Sequence, residues 1–488
     1  MKLDVLVKGI DIIKTVNFEN VEITGISYNS KTIQKGEIFV CLKGEYSDGH
    51  NFAQMAVENG AAALFCEQEL ALDIPQVIVA STRHQIADLA VNFYENPSKK
   101  LKLIAVTGTN GKTTVTHLLQ RIIEEVGNKC ALIGTLGYKT SSKDTYHDAK
   151  HTTPQAPELQ KTLAMICEQQ IGYVTMEVSS HALEQNRVGG CDFDGAVYTN
   201  LTQDHLDYHI TMNNYFEAKS LLFRNLKVGG FAVINNDDEY AQRFKTSVPE
   251  GVAVYSYGIK NSSDIMAQNI DFSINGASFD CLIKGVSYKI NLQMNGMFSV
   301  YNALAALCTA IAAGVDVKTC IKALEETKSV DGRFEIVNKK PLVIVDYAHT
   351  PDGLENVLKA ARELVPSEGR LVCLFGCGGD RDATKRPKMG KIADEFADVV
   401  VVTSDNPRSE DPQLIISDIL AGVKTVNTQK VYVESDRKTA ISLLKNIANE
   451  NDVVVLAGKG HEDYQILKDK TIHFDDREEA RNIFGSVV

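Results

Sequence analysis

One stretch of the sequence limits the possible folds more than any other: LIAVTGTNGKTTVTHLL at residues 103–119. An apolar run is followed by a short turn of small and polar residues, and apolar residues then repeat at helical spacing from Val115 to Val126. We therefore predict a strand, a tight turn and a one-faced helix that begins at about Lys112. Such a strand-to-helix unit is typical of α/β folds with parallel sheets.

The turn has the composition of a phosphate-binding loop. Backbone N–H groups at the helix N-terminus and the Lys112 ammonium would converge on one small volume, which suits a polyphosphate, and the Thr113 hydroxyl suits Mg²⁺. The alternative is a turn whose glycines serve only backbone geometry. The usual glycine five residues before the GK pair is replaced by Val106. This shorter loop, GxxGKT, argues against an ordinary switch GTPase or motor ATPase. The expected nucleotide contacts are Gly108, Thr109, Asn110, Gly111, Lys112, Thr113 and Thr114.

The chain alternates strands and helices along its length and is long enough for three domains. Its 488 residues exceed what one core organises, and about 150 residues per domain is usual. Apolar strands such as PLVIVD, DVVVVTS and DVVVLAG indicate parallel sheets covered by helices on both faces. Polar breaks at ENPSKK (95–100) and SVDGRFE (329–335) divide the chain into predicted domains at 1–98, 99–331 and 332–488.

Charge and hydropathy exclude several function classes. Lys plus Arg number 51 against 63 Asp plus Glu, a net charge of −12, which disfavours a nucleic-acid surface. The longest small-apolar run, ALAALCTAIAAGV, is too short for a membrane span, and we expect a soluble, cytoplasmic monomer. Ten scattered cysteines indicate reduced, mostly buried thiols, and this interpretation is preferred over zinc for the CxxxC pair Cys373 and Cys377.

Polar residues at predicted strand ends suggest where ligands bind. Glu177 ends the strand YVTMEV, where a carboxylate can hold magnesium. In the last domain, polar loops follow four strands, at Asp346, after LVCLF, at Asp405 and at Gly458, and carboxyl ends of parallel strands form ligand crevices. There, Arg408 would clamp a carboxylate while Asp405 and Glu462 would bind an ammonium group. A ligand with both ends charged is implied.

Other residues are ambiguous by pattern alone. His205, in DHLDYH, fits either a solvated loop or a zinc site. Lys219, in the predicted helix NNYFEAKSLLF, fits an ordinary surface lysine. The segment DNPR at 405–408 fits a strand-to-loop turn with a solvated arginine.

Eight segments in order resemble the Mur ligases, the ATP-dependent amide-forming ligases of peptidoglycan precursor synthesis. Besides TGTNGKTT, these are TTPQAPEL (152–159), MEVSSHALEQNRV (176–188), TNLTQDHLDYHITMNNYFEAK (199–219), VDYAHTPD (345–352), GCGGDRDATKRPKMG (376–390), DNPRSEDP (405–412) and AGKGHEDYQ (457–465). The resemblance is to the members that add the third residue to the UDP-MurNAc dipeptide. It implies an N-terminal UDP-binding α/β domain, a central P-loop-type ATPase domain with a mainly parallel sheet, and a C-terminal Rossmann-like domain that binds the incoming amino acid.

The resemblance also implies roles for individual residues. Lys112, Glu177, His205 and Lys219 would be catalytic, with Lys219 carbamylated to N6-carboxylysine, and Thr113, Glu177, His205 and the Lys219 carbamate would hold Mg²⁺. Further ATP contacts would be Asn302, Arg333 and Asp346. The UDP-MurNAc dipeptide would contact Ser30, Thr152, Thr153, Ser179, Gln185 and Arg187. Asn29 and Lys31 depart from the family pattern, which has Asp and Arg there, so the resemblance implies a UDP contact in this segment at Ser30 alone.

Within the family, DNPR marks enzymes that add meso-2,6-diaminopimelate, whose distal carbon bears a carboxylate. The implied contacts are Arg386, Asp405, Asn406, Pro407, Arg408, Gly458 and Glu462. The expected substrates are thus UDP-MurNAc-L-Ala-D-Glu, ATP and meso-diaminopimelate, without nucleic acid or membrane. The alternatives are a lysine-adding ligase, a folylpolyglutamate or cyanophycin-type synthetase, and a non-enzymatic nucleotide-binding protein.

Overall fold

Three main sheets, one after another along the chain, organise the molecule. The computed structural model describes residues 1–44, 47–147, 151–425 and 430–485. The first sheet has the order β1-β5-β4-β3-β2, and its β2–β5 strands pair in parallel while β1 is antiparallel. Its elements are α1 (Leu3–Leu6), β1 (Ile12–Val16), β2 (Ile26–Ser27), β3 (Ile38–Val40), α2 (Ala53–Glu58), β4 (Ala63–Cys66), β5 (Gln76–Val79) and α3 (Thr82–Phe93).

The central sheet has ten strands in the order β15-β14-β13-β12-β11-β10-β6-β9-β7-β8. Its elements are β6 (Lys102–Thr107), α4 (Lys112–Glu125), β7 (Cys130–Gly134), β8 (Gly137–Lys139), α5 (Ala156–Glu168), β9 (Tyr173–Glu177), α6 (Ser180–Glu184), β10 (Gly195–Tyr198), α7 (Leu206–His209), α8 (Met212–Arg224), β11 (Phe231–Asn235), α9 (Ala241–Ser247), β12 (Ala253–Gly258), β13 (Ile265–Ser273), β14 (Gly276–Ile283), β15 (Val286–Leu292), α10 (Met297–Ala312) and α11 (Val317–Glu326). The seven neighbouring strands β13, β12, β11, β10, β6, β9 and β7 pair in parallel. The outer strands β8, β14 and β15 pair antiparallel. One apolar core lies on each face.

The third sheet has the order β16-β17-β21-β18-β19-β20, parallel except for β16. Its elements, with a small hairpin, are β16 (Glu335–Lys339), β17 (Leu342–Asp346), α12 (Pro351–Arg362), β18 (Leu371–Phe375), α13 (Arg386–Phe396), β19 (Val399–Val402), α14 (Pro412–Leu420), β20 (Val431–Val433), α15 (Arg437–Ile447), β21 (Val453–Ala457), β22 (Tyr464–Ile466), β23 (Thr471–His473) and α16 (Asp476–Phe484). Apolar clusters cover both faces, as the continuous valine-rich strands predict.

The predicted strand-turn-helix unit is confirmed, since β6 ends at Thr107 and α4 begins at Lys112. The α/β fold with mainly parallel sheets is confirmed as well. The three sheets lie within 1–98, 99–331 and 332–488 respectively, while the domain limits themselves stay a prediction.

The cysteines are free thiols, and nine of the ten are buried. Cys377 contacts the Met389 sulfur at 3.7 Å, as in an ordinary apolar core. Across the described ranges, no helix is both long and apolar enough to cross a membrane.

Candidate active site

The phosphate loop is a tight turn held against the neighbouring strand end. Asn200 follows β10, and it accepts hydrogen bonds from the Thr109 and Asn110 backbone N–H groups at 2.8 and 2.9 Å. Gly111 has φ +89°, and a Cβ there would lie 2.4 Å from the Asn302 Oδ1 atom. Both the backbone conformation and the close approach therefore require glycine at this position.

Two lysines lie against the same loop. The Lys112 ammonium donates to the Gly108 and Thr109 carbonyls at 2.9 and 2.8 Å. Lys219, from α8, is buried and donates to the Gly108 carbonyl at 2.9 Å, with its ammonium 4.7 Å from the Tyr215 ring centre. Burial and the Lys112 charge lower the pKa of Lys219 well below its usual value. A neutral amine, the form that reacts with carbon dioxide, is thereby favoured.

Glu177 stands at the end of β9, directly beside the start of α4. Its carboxylate accepts from the Thr113 hydroxyl at 3.1 Å and from the Thr135 N–H at 2.9 Å. The Arg333 guanidinium donates to the same Thr113 hydroxyl at 3.0 Å. An oxygen pair suited to a hard cation therefore lies at the helix N-terminus, next to an arginine that suits a phosphate.

His205 lies in the loop after β10 and packs edge-on against His181, with ring centres 4.8 Å apart. Its Nε2 atom is 3.3 Å from Asp204. Desolvation lowers the pKa of His205, and Asp204 opposes that effect. Among the described residues, no group of three or more His, Cys, Asp or Glu side chains is arranged to hold a metal ion. The oxygen donors of Thr113 and Glu177 fit Mg²⁺, whereas the zinc interpretation of DHLDYH finds no ligand cluster there.

A cavity of about 440 Å³ lies over the loop, between the central and third sheets. The following residues, all expected from sequence to contact a ligand, line this cavity: Thr109, Asn110, Gly111, Lys112, Thr113, Thr114, Thr152, Glu177, Ser179, His205, Asn302, Arg333 and Asp346. Asp346 accepts from the Phe334 N–H at 2.7 Å, and burial raises its pKa to about 6 although Arg333 opposes this. The Arg333 guanidinium stacks 4.4 Å from the Tyr347 ring centre.

Four of the residues expected to contact the UDP-MurNAc dipeptide form one network. The Thr153 hydroxyl donates to the Glu177 carbonyl at 3.0 Å and accepts from the Ser179 N–H at 3.0 Å. Arg187 donates to the Thr153 carbonyl at 3.1 Å and to Gln185 Oε1 at 2.7 and 3.0 Å. This network reaches the cavity through Glu177 and Ser179, and Thr152 joins it through the Thr135 hydroxyl at 3.1 Å.

The N-terminal sheet reaches the central one through Tyr28, whose hydroxyl donates to Glu158 at 2.5 Å. Ser30 is buried, and its hydroxyl contacts the Met55 sulfur at 3.4 Å. The Asn29 side chain accepts from the Lys31 N–H at 3.0 Å in a local turn, which a carboxylate would do equally well. The expected UDP contact at Ser30 stays a prediction.

The strand-end residues of the third sheet lie together as predicted. Asn406 donates to Glu462 at 2.9 Å. A Cβ on Gly458 would be 3.4 Å from Asp405, so these two strand ends adjoin. Arg408 is half-buried and has φ +52°; its Nη1 atom donates to the Gly379 carbonyl at 2.8 Å, and Pro407 precedes it in this turn. The Asp405 Oδ1 atom is buried and has no hydrogen-bond donor among the described residues.

Arg386 lies behind this cluster. Its buried guanidinium pairs with Glu410 at 2.8 Å and Asp418 at 2.9 Å, and it donates to the Gly378 carbonyl at 3.2 Å. These contacts fix the turn that faces Arg408. A direct contact of Arg386 with a ligand stays a prediction.

Sequence reasoning missed several residues of this site. Lys459 is buried between Asp405 and Glu462, at 3.6 and 3.1 Å. Arg437 pairs with Asp476 at 2.6 Å, and it donates to the Ser404 and Ala457 carbonyls that precede the two ligand loops. Asp352 accepts from Asn110 at 2.8 Å and so joins the third sheet to the phosphate loop. Lys459 and Glu462 are three residues apart, whereas the other pairings join segments distant in the chain, where no local sequence signal identifies them.

Comparison with protein families finds three matching models in chain order. Residues 22–98 match the Mur ligase family catalytic domain, residues 106–310 the Mur ligase middle domain, and residues 332–460 the Mur ligase glutamate ligase domain.

Similar proteins and structures cover nearly the whole chain. A Clostridium botulinum protein named UDP-N-acetylmuramoyl-L-alanyl-D-glutamate–2,6-diaminopimelate ligase is 43% identical, with all of both chains covered. A Bacillus velezensis protein of the same name is 46% identical over 95% of this chain and 94% of its own. A solved structure of a ligase with this name is 36% identical with a TM-score of 0.66, and the match covers 95% and 94% of the two chains.

Proposed function

Since the chain belongs to the Mur ligase family, we propose that it joins meso-2,6-diaminopimelate to UDP-MurNAc-L-Ala-D-Glu at the expense of ATP and with Mg²⁺. The amide forms between the terminal carboxylate of the dipeptide and an amine of the amino acid. Full-length relatives that carry the name of this ligase support the proposal. The observation that carries the choice of amino acid is the cluster of Arg408, Asp405 and Glu462 at one sheet edge.

ATP phosphates bind at the N-terminus of α4. The loop N–H groups and the Lys112 ammonium neutralise the phosphate charge, and Arg333 adds a second cation beside Thr113. Asn302, which lies against Gly111, and Asp346 also line the cavity and would contact the rest of the nucleotide. The role of these residues is therefore to position the γ-phosphoryl group and to stabilise its charge.

Thr113, Glu177, His205 and Lys219 as its carbamate would hold Mg²⁺, which neutralises phosphate charge when bound. Burial and the Lys112 charge lower the pKa of the Lys219 amine, which supports carbamylation because only the neutral amine adds to carbon dioxide. The ammonium loses one proton to give the neutral amine and a second when that amine adds to carbon dioxide, so a cation becomes an anion and two protons are released. The Lys219 side chain, which now donates to the Gly108 carbonyl, would then offer carbamate oxygens to Mg²⁺ in place of an ammonium.

The dipeptide carboxylate would approach along the Thr153, Ser179, Gln185 and Arg187 network. Its oxygen attacks the γ-phosphorus of ATP, the bond to the bridging oxygen breaks, and ADP leaves. The amine then attacks the acyl carbon, inorganic phosphate leaves, and the amine loses a proton. An unactivated carboxylate lacks a good leaving group, which is the chemical reason that the reaction consumes ATP.

The incoming amino acid would bind at the third sheet. Arg408 pairs with the carboxylate of its distal end, and Asp405 and Glu462 accept from its ammonium group. The buried Asp405 Oδ1 atom accepts no hydrogen bond from the described residues and lies 3.6 Å from the Lys459 ammonium, so it is an acceptor in that wall. Lysine lacks a distal carboxylate, so it would leave the Arg408 guanidinium without this partner.

The test is product formation by the full-length enzyme with ATP, Mg²⁺ and UDP-MurNAc-L-Ala-D-Glu. Mass spectrometry should detect the diaminopimelate tripeptide with equimolar phosphate release. Preferred addition of lysine would instead identify a lysine-adding ligase. Glutamate addition to a folate, or nucleotide binding without any amide product, would refute the proposal in favour of the remaining alternatives.

A further inference from the structure

Lys459 is a buried lysine inside the amino-acid site, and its side chain is 0% exposed. Its ammonium lies 3.1 Å from Glu462 and 3.6 Å from Asp405, and it donates to the Asn406 Oδ1 atom at 3.4 Å. A buried ammonium is costly unless it is paired. Asp405 and Glu462 are the carboxylates that we place around the substrate ammonium, and Asn406 donates to Glu462 at 2.9 Å. Lys459 therefore contacts every side chain of this wall, which we define as Asp405, Asn406 and Glu462.

The charges of the wall decide how many cations it can accept. Asp405 and Glu462 contribute two negative charges, and Lys459 cancels one of them. Burial and the nearby Asp405 raise the pKa of Glu462, and Lys459 opposes this increase. Counted as two carboxylates and one ammonium, the wall carries one net negative charge.

Building on the proposed function, we propose that Lys459 is a positioning residue that sets the charge of the amino-acid site. It holds the Asp405, Asn406 and Glu462 side chains together and cancels one of the two carboxylate charges. The wall then binds one ammonium group of the incoming diamino acid. Lys459 acts through these side chains, not through direct contact with the ligand.

The proposal predicts that two damaging substitutions will compensate each other. Lys459→Met leaves two adjacent carboxylates without a cation, and Glu462→Gln leaves Asp405 fully cancelled by Lys459. The double variant restores a single negative charge. We expect each single variant to raise the KM for diaminopimelate by about 10- to 100-fold, the range for losing a charge-assisted contact. The double variant should have a lower KM than either single variant.

The measurement is steady-state kinetics on full-length enzyme, with each of the three substrates varied in turn. KM for ATP and for the UDP-MurNAc dipeptide should stay within about twofold of wild type, since both bind elsewhere. Lys438→Met is the matched control, because Lys438 is exposed and pairs with Glu479 at 2.8 Å in the same domain. It should leave every KM unchanged.

Several results would overturn the role of Lys459. One is a Lys459→Met enzyme with wild-type KM for diaminopimelate. Another is an equal rise in KM for all three substrates, which is the result expected if Lys459 has only a structural role. A third is a double variant no better than either single variant. Should Lys459→Met not fold, the double variant must still bind diaminopimelate better than Glu462→Gln. Absence of any diaminopimelate product from wild type would instead refute the proposed function.

Discussion

Replacement of Arg408 by methionine tests the proposed choice of amino acid most directly. Arg408 is half-buried, and burial together with the charge of Arg381 lowers its pKa. Among the described residues, its side-chain hydrogen bonds use Nη1 alone, to the Gly379 and Asn406 carbonyls at 2.8 and 3.4 Å. The Nε and Nη2 donors are therefore available for a two-point contact with a substrate carboxylate. Methionine keeps the apolar stem and removes every donor.

The size of the effect follows from separating two losses. Losing the Nη1 bonds loosens the turn and affects any amino-acid substrate, whereas losing the carboxylate contact affects only a substrate with a distal carboxylate. A hydrogen bond to a charged group contributes about 1.5–3 kcal/mol. This corresponds to about a 10- to 150-fold fall in kcat/KM for diaminopimelate relative to that for lysine.

The assay is therefore the ratio of kcat/KM for meso-diaminopimelate to kcat/KM for L-lysine, in wild type and variant. Arg381→Met is the control, since Arg381 is an exposed neighbour whose guanidinium donates to the Asp380 carbonyl at 2.8 Å. It should leave the ratio within about twofold of wild type. An equal loss for both amino acids in the Arg408 variant would refute the carboxylate contact and leave Arg408 only a structural role.

Three other predictions test the phosphate side and the fold. Glu177→Gln preserves shape but removes a charge, so half-maximal activity should need at least about tenfold more Mg²⁺ in a titration at fixed ATP. Lys219→Arg cannot form a carbamate, so kcat should fall by about 100-fold or more, while native mass spectrometry in bicarbonate should detect added carbon dioxide on wild type only. Arg437→Met leaves Asp476 buried without its cation and should lower the free energy of unfolding by about 3–5 kcal/mol in urea, with recovery when Asp476→Leu is added.

Residues at strand ends were predictable from sequence because the geometry of parallel sheets is general. Glu177, Asp346 and Gly458 each end or follow an apolar run, and carboxyl ends of parallel strands share one sheet edge. The phosphate loop was predictable for a similar reason, since helical periodicity after the turn marks where α4 begins. In these cases, the local pattern determines both the type of element and which of its ends faces the site.

Lys219 shows a case that residue type alone does not decide. By type it fits a surface lysine, yet it is 1% exposed. Tyr215, Lys219 and Phe223 are spaced four residues apart, so they share one face of α8, and all three are buried. The spacing to two aromatic residues was the available signal that this lysine faces the core.

Lys459 was not predictable in this way, because its burial depends on sheet order. It follows β21, which lies between β17 and β18 in the sheet although both of those strands come earlier in the sequence. This order brings the 458–462 loop beside Asp405, in the loop after β19, and Lys459 is buried there. Nothing in AGKGHE distinguishes such a lysine from one in a solvated loop, since strand order is a long-range property.

The two halves of the proposed reaction meet at Gly332. This residue has φ +64°, and a Cβ there would lie 2.1 Å from the His461 nitrogen, so the amino-acid loop rests directly on it. The next residue, Arg333, reaches Thr113 at the phosphate loop. The Gly332 carbonyl accepts from the Tyr347 N–H at 3.0 Å, and the Tyr347 ring contacts both Arg333 and His461. A side chain at 332 would have to displace the loop that carries Lys459 and Glu462 or shift Arg333 from Thr113, so nucleotide and amino-acid contacts depend on the same glycine.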